Sequence, residues 1–159
     1  MEYNKSSFST RISTELILSI GSDDFVLKLS EALSVFLQFD HLTLFVFDSH
    51  LIPHLIAGSS GGEQATTSRI RRLYKKSHYY SDDPNTQLIG RNNINTTDPL
   101  IQQLHGKDIK NDAYRKFIYE DNNLLDRVSI IDHENQRWFI VNFYRDVGRD
   151  YFRNQTLDF

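Results

Sequence analysis

At 159 residues, with 39% apolar and 25% charged positions, the chain is of one domain's length and has enough apolar mass for a core, which excludes global disorder. A net charge of −3 argues against this segment gripping nucleic acid by itself, and the absence of cysteine excludes a disulfide framework, a thiol nucleophile and a cysteine-based zinc site. No apolar run approaches the roughly 18 residues of a membrane span, and no signal-like apolar stretch opens the chain, so a cytoplasmic location is expected.

Residues 1–10 are polar. Over residues 11–20, Ile12, Leu16, Ile17 and Ile20 recur at helical spacing, and Gly21 is placed to stop that helix. Residues 1–21 are therefore expected to form an N-terminal helix with a dimer contact, and residues 22–159 the main domain. Ser22 reads as an N-cap with Asp23 and Asp24 in the first turn. The helix it opens runs to about Phe39, with Phe25, Leu29, Leu33 and Phe36 on one stripe.

Residues 41–48 switch to strand chemistry, His41-Leu-Thr-Leu-Phe-Val-Phe-Asp48. A turn at 48–51 and a second antiparallel strand from Ile52 to Ala57 follow, then a loop at Gly58-Ser-Ser-Gly-Gly62. Residues 66–80 return to a helical pattern, with Ile70, Leu73 and Tyr74 on one side. Arg69, Arg71, Arg72, Lys75 and Lys76 lie largely on the other, which reads as a solvated face. From Ser81 to Thr97 the chain is polar and Asn-rich, with Leu88-Ile89 as a short strand. Asp98-Pro99 opens a short helix to Leu104. Asn111 or Asp112 caps a helix carrying Tyr114, Phe117 and Ile118. A hairpin closes the pattern: Arg127–Asp132, a turn at 133–136, and Arg137–Arg145.

On that last strand Trp138, Ile140, Asn142 and Tyr144 face one way, and Phe139, Val141 and Phe143 the other. Both faces are apolar, so the strand is covered on both sides. The element order predicts an α/β (α+β) domain, an antiparallel sheet between helical layers.

Within this frame Asn142 stands out as a polar residue on an apolar face. A buried amide needs a partner, and that partner is either a ligand or a neighbouring backbone group. Thr43 and Ser129 are small hydroxyls in strand interiors, able to point a hydrogen bond into a pocket. The glycines at 58–62 lack both the P-loop ending and the dinucleotide-fold spacing. His50 and His54 straddle a turn with no further ligands in reach, so no metal site is expected. No spacing pairs a nucleophile with a base or sets two carboxylates together, which argues against an enzyme. No cofactor is implied.

The order Tyr74-x4-Tyr79-x3-Asp83-Pro84 resembles the pocket motif of autoinducer-binding domains of LuxR-type transcriptional regulators. The stretches Tyr114–Glu120, Asp126–Ile130 and Arg137–Arg145 resemble the GAF-like N-terminal domains of regulators in that family. The resemblance spans residues 23–152. It implies a GAF/PAS-like α/β/α sandwich around a five-stranded antiparallel sheet, with a small molecule held between the sheet and one helical layer.

It also implies that Tyr74, Tyr79 and Asp83 wall the pocket, that the Asp83 carboxylate accepts a ligand N–H, and that Ser129 supplies a small hydroxyl. Ile70 stands where the family pattern has tryptophan, and Arg127 where glycine is common. Without the indole N–H a lactone carbonyl lacks its donor, which argues against an acyl-homoserine-lactone receptor.

The expected ligand-contacting set is Thr43, Phe45, Ile70, Tyr74, Tyr79, Asp83, Ser129, Trp138 and Asn142. The expected function is a ligand-sensing domain of a LuxR-type regulator. It would act as a homodimer and meet DNA only through a helix-turn-helix domain not present in this chain. The alternative is a dimerisation or interaction module without a ligand, its pocket filled by Phe45, Tyr74, Trp138 and their neighbours.

Overall fold

The computed structural model describes residues 16–60, 65–91 and 98–152. It divides into two compact units, residues 1–38 and 39–159. In the first, a helical turn at 16–19 leads through Gly21, whose φ of 84° suits glycine, to helix α1, Phe25–Ser34. Most of the helix expected over 11–20 lies outside the described residues.

Ser22 does not cap α1. Its hydroxyl donates back to the Ser19 carbonyl, and no acidic residue lies in the first turn. The small hydroxyl has found a local carbonyl three residues back instead, a common competitor of capping. The helix also stops at Ser34, short of Phe39.

The second unit is built on a five-stranded sheet: β1 His41–Phe47, β2 Pro53–Ser60, β3 Leu100–His105, β4 Leu124–Glu134 and β5 Arg137–Asp146. The order is β2-β1-β5-β4-β3 and every pairing is antiparallel. β5 is the middle strand of the five.

The hairpin β4–β5 turns through Asn135 and Gln136 alone, both with positive φ, so the strands extend further into the turn than the sequence suggests. That two-residue geometry matches the right-handed twist of the strands.

Helix α2, Ala65–Ser77, packs against β1 and β2, and its Ile70 and Tyr74 are fully buried. Its five cations are exposed, as a solvated face requires. His78 breaks the helix in the left-handed region, and a 3-10 turn, Tyr79–Asp82, carries the chain to α3, Pro84–Arg91. A single α-turn, α4 at Asp112–Tyr114, is capped by the Asn111 side chain and runs on through Arg115–Tyr119 as a wider helical turn.

Three further expectations fail, two for a tertiary reason and one for a local one. Gly58, Ser59 and Ser60 belong to β2, not to a loop. Gly58 pairs with Thr43, and a Cβ there would lie 2.8 Å from the Thr67 Cβ, so glycine marks the close approach of α2 to the sheet. Leu88-Ile89 lies in α3, because Asp83 and Pro84 start a helix: Oδ1 of Asp83 accepts from the Asn85 N–H at 2.8 Å, and proline takes the first helical position. Residues after Asp98-Pro99 form edge strand β3, since Leu100–His105 finds β4 as a partner. Helix propensity yields there to strand pairing.

Candidate functional site

Cross-strand register puts unlike residues into rows on the helix-facing side of the sheet. Phe47, Phe45, Thr43 and His41 on β1 stand opposite Trp138, Ile140, Asn142 and Tyr144 on β5. On the other side of β5, His133, Ile131, Ser129 and Arg127 on β4 take the same places. One end of this face is thus apolar, and two successive rows are polar: Thr43-Asn142-Ser129, then Tyr144-Arg127.

The polar rows are closed from above by the α2–α3 corner. Asn85 of α3 donates through Nδ2 to Ser129 Oγ and to Asn142 Oδ1, both at 3.0 Å. Ser129 Oγ donates to the same Asn142 oxygen at 2.7 Å, and Asn142 Nδ2 donates to Thr43 Oγ1 at 3.1 Å. All four residues are buried. The partner of Asn142 is therefore neither of the two expected kinds; it is a set of side chains from three elements.

Next to this network, Asp83 meets Arg127 as carboxylate and fork. Arg127 Nη2 donates to Oδ1 at 2.8 Å and Nη1 to Oδ2 at 3.0 Å. The Tyr74 hydroxyl donates to Oδ2, and the Asn85 backbone N–H to Oδ1. A carboxylate has about four lone-pair positions, and protein donors take all of them. Because Tyr74 spends its proton on Asp83, its oxygen accepts from Tyr114, 2.7 Å away. The Tyr114 oxygen in turn lies 3.4 Å from Arg127 Nη1. The four side chains form a closed ring of donors and acceptors. None of the four is more than slightly exposed.

Electrostatics keeps this ring in one protonation state. Burial pushes the Asp83 pKa up, but attraction and hydrogen bonds from Arg127, with those from Tyr74 and the Asn85 N–H, outweigh it and hold the carboxyl below its usual range. Burial disfavours the Arg127 charge, but the Asp83 carboxylate together with Tyr119, Tyr114 and Tyr144 outweighs it and holds the guanidinium pKa above its usual value. Burial first, then the adjacent carboxylate, raises the Tyr74 and Tyr114 hydroxyls well above their ordinary value, so both remain donors.

Most of the expected residues converge. Thr43, Ser129 and Asn142 bond directly, Tyr74 bonds Asp83, and Phe45 stacks on Tyr74 with centroids 4.9 Å apart. Ile70 is buried one helical turn before Tyr74. Tyr79 lies edge-on to Tyr114 at 6.4 Å, half-buried at the margin. Trp138 is also half-buried, its ring 4.4 Å from His133 at the hairpin end of the sheet, away from the polar rows.

Arg127, Asn85 and Tyr114 are the residues that the sequence-based list lacks. The period of two along β4, which sets Arg127 on the same face as Ser129, was the available signal for the first. His54 pairs with Asp48 at 2.8 Å, and no metal-type cluster exists among the described residues.

No protein-family model and no curated protein matches the chain. Solved structures do. The N-acylhomoserine-lactone-dependent LuxR-family transcription factor CepR2 of Burkholderia cenocepacia aligns over 95% of this chain and 83% of its own, at a TM-score of 0.68 and 10% identity. This chain shares the fold of that LuxR-family transcription factor. The VqsR LBD domain of Pseudomonas aeruginosa aligns over 93% of this chain and 84% of its own, at 0.63 and 16%. SdiA in complex with octanoyl-rac-glycerol aligns over 99% of this chain, at 0.56 and 17%, and the chain spans 61% of that SdiA chain. At such identities the likeness is one of fold. No described helix is long and apolar enough to cross a membrane.

Proposed function

We propose that this chain is the regulatory domain of a LuxR-type transcriptional regulator, without enzymatic activity, and that its polar centre is closed by its own side chains. The observation that carries this reading is the saturation of Asp83. Every acceptor position that a ligand N–H needs is taken by Arg127, Tyr74 or the Asn85 backbone. The domain then works as an interaction module that completes its core without a small molecule. Its output passes to a DNA-binding domain elsewhere in the full protein. A homodimer contact through the N-terminal segment is part of this reading, supported by the exposure of Ile17, Leu18 and Ile20.

A second reading has its own support. Asn85 Oδ1 and Arg127 Nε are buried and without a hydrogen-bond partner among the described residues. A ligand between sheet and helices would satisfy such atoms, and an unmet buried polar atom costs about 1–3 kcal/mol. In this reading Thr43, Phe45, Ile70, Tyr74, Tyr79, Asp83, Ser129, Trp138 and Asn142 line its site.

Native mass spectrometry of the domain purified without additives separates the two, together with a thermal-shift series of acyl-homoserine lactones and octanoyl glycerol. The closed centre predicts the bare chain mass and an unchanged Tm. A retained small molecule, or a saturable rise in Tm that Asp83→Ala abolishes, selects the second reading.

A further inference from the structure

Two groups besides Arg127 hold the carboxylate of Asp83, one on each oxygen. The Asn85 N–H holds Oδ1, the Tyr74 hydroxyl holds Oδ2, and Pro84 fixes the backbone that follows. What the carboxylate then presents to the sheet is a pair of parallel acceptor positions. Beside them lies the oxygen of Tyr114, 3.4 Å from Arg127 Nη1. The Tyr144 ring borders the same space, its centroid 6.0 Å from Arg127 Cζ. Two parallel acceptors, a third oxygen at the edge and an aromatic face suit a planar, delocalised cation with two N–H groups pointing the same way. An ammonium ion, with tetrahedral donors, satisfies one acceptor well and the rest poorly.

We infer that the Asp83–Tyr74–Tyr114 constellation is a guanidinium receptor, and that Arg127 is its ligand, carried on β4 as part of the chain. This rests on the reading that the centre is closed from within, and it adds the chemical class the centre accepts. The geometry also places the occupant. Arg127 is directly opposite Tyr144 in the β4–β5 register, so the strand delivers its side chain beneath the α2–α3 corner that carries the carboxylate. A chain with no side chain at 127 keeps the receptor and loses the ligand. Free guanidinium or amidinium ions then take the empty place.

The test uses Arg127→Gly in the full 159-residue chain, with methylguanidinium and acetamidinium as probes and methylammonium and sodium as controls at equal millimolar ionic strength. The variant melts below wild type. Methylguanidinium and acetamidinium raise its Tm saturably, whereas the controls do not, and wild type gains nothing from either ion. Adding Asp83→Asn to the variant removes the recovery. Should Arg127→Gly not stay folded, refolding from urea with each ion reports the same preference as the yield of native near-ultraviolet circular dichroism.

Equal recovery by methylammonium, or no recovery from either planar cation in both measurements, overturns the inference. Those outcomes leave the ligand-free mass of wild type untouched, so failure here is distinct from failure of the closed-centre reading.

Discussion

Arg127 and Asp83 lie 44 positions apart in the chain and meet as a two-point ion pair, 2.8 and 3.0 Å long, with side chains 0% and 4% exposed. Such a pair is a poor source of net stability, because removing two charges from water costs several kcal/mol per ion before their attraction returns it. What it does supply is exclusivity. With Tyr74 and the Asn85 N–H on the remaining positions, one arrangement fills every acceptor position of the carboxylate. The alternatives leave a charge unpaired. The centre therefore fixes how the α2–α3 corner sits on β4.

This pair sets one part of the response to acid. Asp83 has a folded pKa below its unfolded value. Its contribution to stability is fully present above the ordinary carboxylate pKa of about 3.9, and is lost as pH falls through the depressed folded value. Urea titrations from pH 6 downward are expected to show a loss of stability that Asp83→Asn, already destabilised, lacks. An equal acid slope in that variant would assign the loss to other carboxyls.

Asp126, the residue before Arg127, points to the opposite face of the sheet and behaves oppositely. Its Oδ2 accepts from the Phe152 N–H at 2.7 Å, and burial raises its pKa against the hydrogen bond from Phe152 and the charges of Arg145 and His105. A raised carboxyl pKa favours the protonated folded state, so its effect on stability worsens as pH rises from about 3.9 through the folded value. Asp126→Asn keeps an acceptor for Phe152 and removes the charge. At pH 7 it is expected to be as stable as wild type or more so, with a flatter pH profile in that window. A marked loss of stability at pH 7 would contradict this assignment.

The close approach at Gly58 gives a packing test. A Cβ there lies 2.8 Å from Thr67 Cβ and 3.1 Å from the Leu42 carbonyl oxygen, and neither is the end of a flexible side chain. Gly58→Ala is expected to cost about 1–3 kcal/mol in urea denaturation, because α2 must move off the sheet. A neutral result would place α2 further from β2 than described.

Much of this was legible in the sequence, and the gaps have physical reasons. Alternation along residues 137–145 gives β5 and the anomaly of Asn142, because successive side chains of a strand point to opposite faces. The edge strand β3 was not legible. Leu100-Ile-Gln-Gln-Leu carries no clean period, and only the exposed backbone of β4 turns it into a strand. Helix α3 was hidden by its own polar composition, although Asp83-Pro84 is a start signal. At the site, Thr43, Ser129 and Asn142 could be named from strand position. Their mutual bonding could not, because it depends on registers 13 and 99 positions apart. Arg127 was visible as a departure from the family pattern. That a residue in that place reaches Asp83 depends on where the α2–α3 corner lands.

The most direct measurement is a double-mutant cycle on Asp83 and Arg127. Asp83→Asn and Arg127→Met each leave a buried, unpaired partner and are expected to cost about 3–5 kcal/mol in chemical denaturation. The double variant removes both charges and should recover most of that loss, leaving a coupling of several kcal/mol between the two positions. If the two losses simply add, to within about 0.5 kcal/mol, Arg127 does not hold Asp83 and the centre is not closed from within.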